Sequence, residues 1–523
     1  MRGAVAAGHP LTAEAGARVL VEGGNAVDAC IAAAATAWVT ESPLTGPGAG
    51  GFMLVHRARD GVDILLDFFV AAPGSGLMPG ELADLEAIDV PFGSGDTTQQ
   101  FLIGPASCAV PGMVAGLAEA HRRYATRPWS DLLRRATELA RAGVELSADQ
   151  ALLHEILDPV LRHDRDGRTV YGANGSLACG ERIVMDELAR TLEELAADPA
   201  GFYRGPLARR ISSLVRERGG RITEADLVAY RVIVRRAVRA AYRGHELVTN
   251  PPPSSGGVLI ALALRILDRL GPGGPPGSAE AVGRLANVFR ESARVRGDRF
   301  LTALYRGGLA SRLLADDRVD AAVEAVLADE HEAPYREPAT LPSTTHVSVV
   351  DGNGNAASLS SSTGCGSGVM VPDTGIQLNN MLGERDLNPH GRSPAVGRRL
   401  TSMMAPTIVL LDGRPRLVLG SAGSERLRGA IVQTIVNSID HGMPVQEAIE
   451  RPRVHLDGGE LHLEGGTEPE VADALEGRAY RLVCWPGPGR NLYFGGVSAV
   501  GLLNGALEAA GDPRRGGHGV IVP

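Results

Sequence analysis

The run Ser343-Thr344-Thr345-His346-Val347-Ser348-Val349-Val350 frames the whole chain. Its β-branched threonines and valines alternate with polar residues, as a strand requires. Asp351-Gly352-Asn353-Gly354-Asn355 follows, carrying the Asp-Gly and Asn-Gly pairs of a tight hairpin, so Ala356 to Ser360 is expected to return as the partner strand. Upstream, residues 328–343 are polar and proline-containing, with Glu330, His331, Glu332, Pro334, Glu337, Pro338 and Pro342, and read as an exposed linker. A linker that runs straight into a core strand draws attention to the strand's first residue.

An internal threonine hydroxyl has no base beside it. Cleavage of the Ser343-Thr344 bond would give Thr344 a free α-amine, one carbon from the hydroxyl-bearing Cβ and able to take its proton directly or through water. The reference pKa of an α-amine, about 7.7–8.0, suits a general base. Nucleophile and base would then share one residue. Most Thr-Thr pairs in strands are ordinary β-formers, and the local pattern on its own favours that plainer reading.

With 523 residues, 44% hydrophobic and 22% charged, the chain can bury a large globular core, and its length would hold three or four average domains. A net charge of −9 argues against a nucleic-acid partner. Cys30, Cys108, Cys179, Cys365 and Cys484 are scattered without a CxxC pair, which disfavours a zinc site or a disulfide framework. Cys365 lies near the Ser/Thr-rich stretch, where inert packing is the plainer reading than a nucleophile. No secretory signal is read at the N-terminus, and the apolar run from Ala29 to Val39 is too short to span a bilayer. A cytoplasmic location and no membrane partner are expected.

Helices are expected from Pro10 to Leu20, from Asn25, from Val110, and over 130–142, 185–197, 207–217, 258–270, 279–296, 426–441 and 444–450. Strands are expected over 52–55, 64–69, 240–249, 344–350, 356–360, 407–411, 416–420 and 497–502. The loop Gly46 to Gly51 lacks the lysine and following helix of a phosphate cradle, so close backbone approach explains its glycines better. Helices before and after two strand-rich regions suggest a layered α+β arrangement.

Seven blocks, in order, resemble the γ-glutamyltransferase family: Gly24-Asn25-Ala26-Val27-Asp28-Ala29, Gly50-Gly51-Phe52-Met53, Val110-Pro111-Gly112, the loop from Pro251 to Gly257, the strand from Thr344 to Asp351, Leu378-Asn379-Asn380 and Asp512-Pro513-Arg514. The resemblance covers nearly the whole chain. It implies an N-terminal-nucleophile hydrolase with an α+β, four-layer αββα sandwich, and no cofactor or metal. It also implies self-cleavage between Ser343 and Thr344. Residues 1–343 would form a large, helix-rich subunit supplying the pocket walls. Residues 344–523 would form a small, strand-rich subunit with the catalytic threonine at its N-terminus. Together they would make one αββα unit, a heterodimer of the chain's own fragments that is open to further oligomerisation.

In that scheme Thr344 attacks the carbonyl of a small-molecule acyl donor, and water or an amine acceptor takes the acyl group. Ser362 falls where the family has a second hydroxyl supporting the nucleophile. Gly423 and Ser424 fall where backbone amides form the oxyanion hole, and losing one such donor costs on the order of 3 kcal/mol of barrier. A serine suits that position only where φ and ψ tolerate a Cβ.

The substrate pocket departs from the family pattern. Phe69, in Asp67-Phe68-Phe69-Val70, stands where glutamyl-cleaving members carry the arginine that clamps the α-carboxylate. Gly364 replaces an asparagine. Met381 and Glu384 replace the glutamine and aspartate that hold the α-amino group, and Thr401-Ser402 replaces a serine pair. One reading keeps γ-glutamyl substrates, with Arg385 or Arg398 as substitute contacts. The preferred one moves to an acyl group without an amino-acid head. An acylase or a carbon–carbon bond hydrolase of secondary metabolism would use the same nucleophile. An unprocessed, inactive binding paralogue is the alternative of another class. His346, on the strand face of Thr344, reads as structural rather than catalytic.

Overall fold

The computed structural model describes residues 2–523 other than 79–83, 93–96, 298, 329–343, 386, 388–393, 477–479, 488–490 and 504. The linker read at 328–343 and the Ser343 side of the expected cleavage junction therefore lie almost wholly outside the described residues; Ala328 ends a helix.

Two antiparallel sheets form the centre. The strands are β1 (Gly3–Ala7), β2 (Gly50–Arg57), β3 (Val62–Phe68), β4 (Ile233–Arg235), β5 (Val238–Tyr242), β6 (His245–Thr249), β7 (Thr345–Asp351), β8 (Ala356–Ser362), β9 (Thr407–Leu411), β10 (Arg414–Ala422), β11 (Gly496–Leu503), β12 (Ala506–Gly511) and β13 (His518–Val522). The first sheet runs β13-β1-β7-β8-β2-β3-β4, and the second β12-β11-β10-β9-β6-β5. The sheets stack through β7 and β8 against β10 and β11. Helices α1 (Pro10–Val21), α2 (Ala26–Thr40) and α3 (Met113–Tyr124) cover the outer face of the first sheet. Helices α4 (Gly256–Leu270), α5 (Arg426–Ile439) and α6 (Val445–Glu450) cover the second. The architecture is an αββα sandwich, in which a large apolar core lies under each helix layer.

β7 is the central element. Its register against β8 pairs Thr345 with Ser361 and Val350 with Ala356, as the Asp-Gly-Asn-Gly turn anticipates. Both of its faces are buried, so the alternation does not separate core from solvent. Val347 and Val349 pack under the helix layer. His346 and Ser348 lie between the sheets, where polar atoms need partners. The His346 ring nitrogens meet Ser360 Oγ at 2.8 Å and Ser348 Oγ at 3.0 Å, and the Ser348 hydroxyl donates to the Ser498 carbonyl of β11 at 3.0 Å. Burial pushes the imidazole down to about 3, so it is neutral in service. Gly420 leaves room for the ring, since a Cβ there would sit 2.3 Å from it.

Helix α2 is tied to both ends of β7. At its start Asn25 and Asp28 form a capping box, and the Ala26 amide donates to Asp351 Oδ2 at 3.0 Å. At its end Glu41, directly after the last helical residue, accepts from the Thr345 hydroxyl.

Among the departures from the sequence reading, three bear on the central sheets and the site. Residues 3–7, for which no element is expected from the sequence, form β1, because small side chains suit a strand enclosed on both faces. The expected strand over 240–249 is a hairpin, β5–β6, that turns at Arg243 and Gly244 with φ of 50° and 75°. An Arg-Gly pair lacks the Asn-Gly signature of such a turn, so the break was hidden. The helix expected from Val110 begins at Met113, since Val110 bridges to Ala71 instead.

Asp351→Ala removes the acceptor for the Ala26 amide and for the Asn353 and Asn355 amides at 2.9 and 3.0 Å. Thermal or urea unfolding should show a loss of about 2–3 kcal/mol, and an unchanged midpoint would refute the clamp.

Candidate active site

Thr344 immediately precedes β7 and is 6% exposed. It borders a cleft of about 400 Å³ with Ser362, Gly364, Phe69, Met381, Glu384, Ser402 and Ser424. Most of the residues singled out from the sequence thus converge on one place. Leu387, Met403, Met404 and Leu427 complete the lining and were not anticipated.

Ser362, at the end of β8, accepts a hydrogen bond from the Gly364 amide at 2.9 Å. Gly364 has φ of +70°, and a Cβ there would fall 1.9 Å from Asn380 Oδ1 and 2.8 Å from Glu384 Oε1. The space that a side chain at residue 364 would need is therefore occupied by Asn380 and Glu384. Asn380 Oδ1 accepts from the Cys365 amide at 3.0 Å. Asn379 donates to the Gly48 and Ala109 carbonyls, both at 2.9 Å, and so ties the glycine loop to the site. At Gly48 a Cβ would be 2.1 Å from the Gln377 carbonyl, which accounts for the loop by close backbone approach.

Gly423 has φ of +128°, and a Cβ there would lie 2.8 Å from Gly495 Cα. Only glycine holds this conformation without strain. Ser424 follows at φ 51°, left-handed and costing about 1 kcal/mol for a residue with a Cβ. Together they form a tight turn between β10 and α5.

Phe69 is 1% exposed and stacks on Phe52, with ring centroids 5.4 Å apart. Beneath it, buried Asp67 pairs with Arg235 at 2.7 Å and with Arg399 at 3.2 Å. The Tyr230 hydroxyl and Arg399 both donate to the Phe69 carbonyl. Neither Arg385 nor Arg398 reaches the cleft: Arg385 donates to Gln100 at 2.7 Å, and Arg398 stacks over Tyr305 in a separate cleft. Glu384 is the one charged residue among the described residues lining the Thr344 cleft.

Two sequence assignments fall outside the lining. Thr401 donates its hydroxyl to the Pro253 carbonyl at 2.7 Å, away from the cleft, while Ser402 remains beside Thr344. Gly423 contributes backbone geometry only. Cys365 is fully buried, and desolvation with the nearby Glu384 pushes its thiol well above the ordinary range.

The Gamma-glutamyltranspeptidase family profile matches residues 12–522. The chain belongs to that family. It is 34% identical to the acylase ACY 1 proenzyme of Pseudomonas sp. (strain SE83) over 98% of this chain and 93% of the relative. It is 31% identical to the glutathione hydrolase proenzyme of Escherichia coli (strain K12) over 98% of this chain and 90% of that one. A cephalosporin acylase from Bacillus halodurans superposes with a TM-score of 0.84 at 25% identity, covering 99% of this chain and 95% of that structure. The chain is thus an amide-hydrolysing or acyl-transferring enzyme of the N-terminal-nucleophile type.

Glu41 was missed in the sequence. Its signal was an acidic residue directly after the C-terminal end of a largely apolar helix, where the dipole disfavours negative charge.

Cys365→Ala should leave turnover of an acyl anilide within about twofold, because a buried thiol held protonated is no nucleophile. Gly423→Ala should cut kcat by on the order of 100-fold through displacement of the turn. The reverse ranking of these two variants would move the chemistry to the thiol.

Proposed function

We propose that this chain is a self-processing N-terminal-threonine acylase of the γ-glutamyltranspeptidase family with an altered acyl specificity. The observation that carries the reading is the cleft beside Thr344, walled by Phe69, Met381, Met403, Met404 and Leu427, with Glu384 its one charge among the described residues.

Cleavage before Thr344 frees its α-amine. The Oγ1–H proton passes to that amine as Oγ1 bonds to the donor carbonyl carbon. The resulting oxyanion faces the Gly423-Ser424 turn, and Ser362 supports the nucleophile. The amine proton then goes to the leaving nitrogen as the C–N bond breaks, and water or an amine acceptor takes the acyl group from Thr344. Cleavage makes residues 1–343 and 344–523 two subunits of one unit; the proenzyme names of both relatives support this.

Specificity follows from charge. A γ-glutamyl head brings a carboxylate and an ammonium together. A buried carboxylate without a cationic partner is costly, and Phe69 offers none. Glu384 suits an ammonium or another donor and would repel the carboxylate. The preferred donor is an amide whose acyl group is largely apolar and has no α-carboxylate, which agrees with a relative named acylase.

Purified protein should run as two fragments under denaturing conditions, with Thr344 as the new N-terminus by sequencing. Thr344→Ala should remain one chain without activity. An intact chain that turns over substrate would refute the mechanism. Glutathione should be hydrolysed with kcat/KM on the order of 100-fold below that of an apolar acyl amide, the worth of about two charge-assisted hydrogen bonds. Equal efficiency on both would refute the specificity.

A further inference from the structure

A second cavity lies behind the nucleophile. Among the residues lining it and those lining the substrate cleft, Thr344 alone is common to both. The titratable groups on this rear chamber are Glu41, Asp149, His154, His346, Asp512 and Arg515. It is partly open to solvent, lined mainly by apolar atoms with these polar groups among them, and has room for water.

Most of these groups are accounted for. His346 is held between serines. Asp512 pairs with Arg453 at 2.6 Å and Arg514 at 3.1 Å, and its carboxyl stays below the usual range. Burial pushes His154 down to about 4, so it is neutral. Burial lowers Arg515 to about 9, still a cation at neutral pH. Asp149 sits at the chamber's partly exposed edge, its carboxyl raised by desolvation.

Glu41 is different. It is buried, with one oxygen accepting from the Thr345 hydroxyl and the other from Thr12 Oγ1 at 3.2 Å. A Cβ at Gly8 would collide with its Oε2 at 2.3 Å, so the strand–helix turn before α1 is shaped around this carboxyl. Nothing in the scheme of Thr344, Ser362 and the Gly423-Ser424 turn uses it. Yet that scheme creates a charge that needs it: acylation turns the α-amine of a residue only 6% exposed into an ammonium.

We propose that Glu41 is a positioning residue that supplies the counter-charge for the α-ammonium of Thr344 across the rear chamber, while holding Thr345 so that the amine faces it. The proposal rests on Thr344 being the nucleophile. In the acylation step Oγ1 bonds to the carbonyl carbon and its proton moves to the α-amine. The ammonium then returns that proton to the leaving nitrogen, and Glu41 stays ionised throughout. Desolvation raises the Glu41 carboxyl to about 7, with the Thr345 and Thr12 hydrogen bonds and Arg515 opposing it. It is therefore ionised in the range where an α-amine works, about 7.7–8.0.

The sign of the effect is fixed. A carboxylate near the amine raises the amine's pKa. Glu41→Gln keeps an acceptor for Thr345 and removes the charge. The acidic limb of kcat/KM against pH, which reports loss of the free amine, should move to lower pH by about one unit. An unmoved limb in folded, cleaved Glu41→Gln would overturn the proposal. Should that variant remain uncut, the wild-type enzyme provides the reading. Its infrared spectrum across the pH range of activity should contain a carboxylate band that is missing from Glu41→Gln; a Glu41 carboxyl that stays protonated through that range would overturn the proposal. Failure of the underlying nucleophile assignment shows separately, as turnover by Thr344→Ala.

Discussion

The fixed relation between helix α2 and strand β7 is the constraint on which the rest depends. A helix of 15 residues and a strand of 7 are each about 22 Å long. Asp351 takes an amide from the first turn of the helix, and Glu41 takes the hydroxyl of Thr345 where the helix ends. The strand is thus pinned at both ends against one rigid element. A slip by one residue would exchange its two faces, placing His346 in the apolar helix layer and Val347 among the serines between the sheets. Both exchanges are costly, so Thr344 has one available position, at the junction of two cavities.

The same economy explains the cleft. Arginines are close by, but their charge is spent inside the protein. Asp67 takes both Arg235 and Arg399, and Arg399 also braces the Phe69 carbonyl. These contacts hold the β3 exit in place and put Phe69, stacked on Phe52, in the wall of the cleft. Together with Gly364, whose missing side chain gives room to Asn380 and Glu384, this leaves a largely apolar cleft with a single carboxylate among its described lining residues.

Much of this was legible from local pattern. The hairpin at Asp351–Asn355, the capping residues Asn25 and Asp28, and the long amphipathic helices are encoded by residues near one another in sequence. The ordered family blocks brought Thr344, Ser362, Phe69, Met381 and Glu384 forward, and these do share a cleft. What escaped depends on distant segments. Residues 3–7 form a strand only because β7 and β13 flank them. Thr401 was expected in the pocket, but the Pro253 carbonyl from a separate loop captures its hydroxyl. Glu41 and Arg515 are 474 positions apart by number, and no periodicity joins them; only the closed sandwich does.

The central claim is that Thr344 carries the acyl group. The direct test is mass analysis of the enzyme quenched during turnover of a slow acyl amide, followed by peptide mapping. The account predicts an acyl adduct on the 344–523 fragment, localised to its N-terminal threonine and released by water or an added amine. An adduct on any other residue, or turnover with the Thr344 hydroxyl never modified, would contradict it.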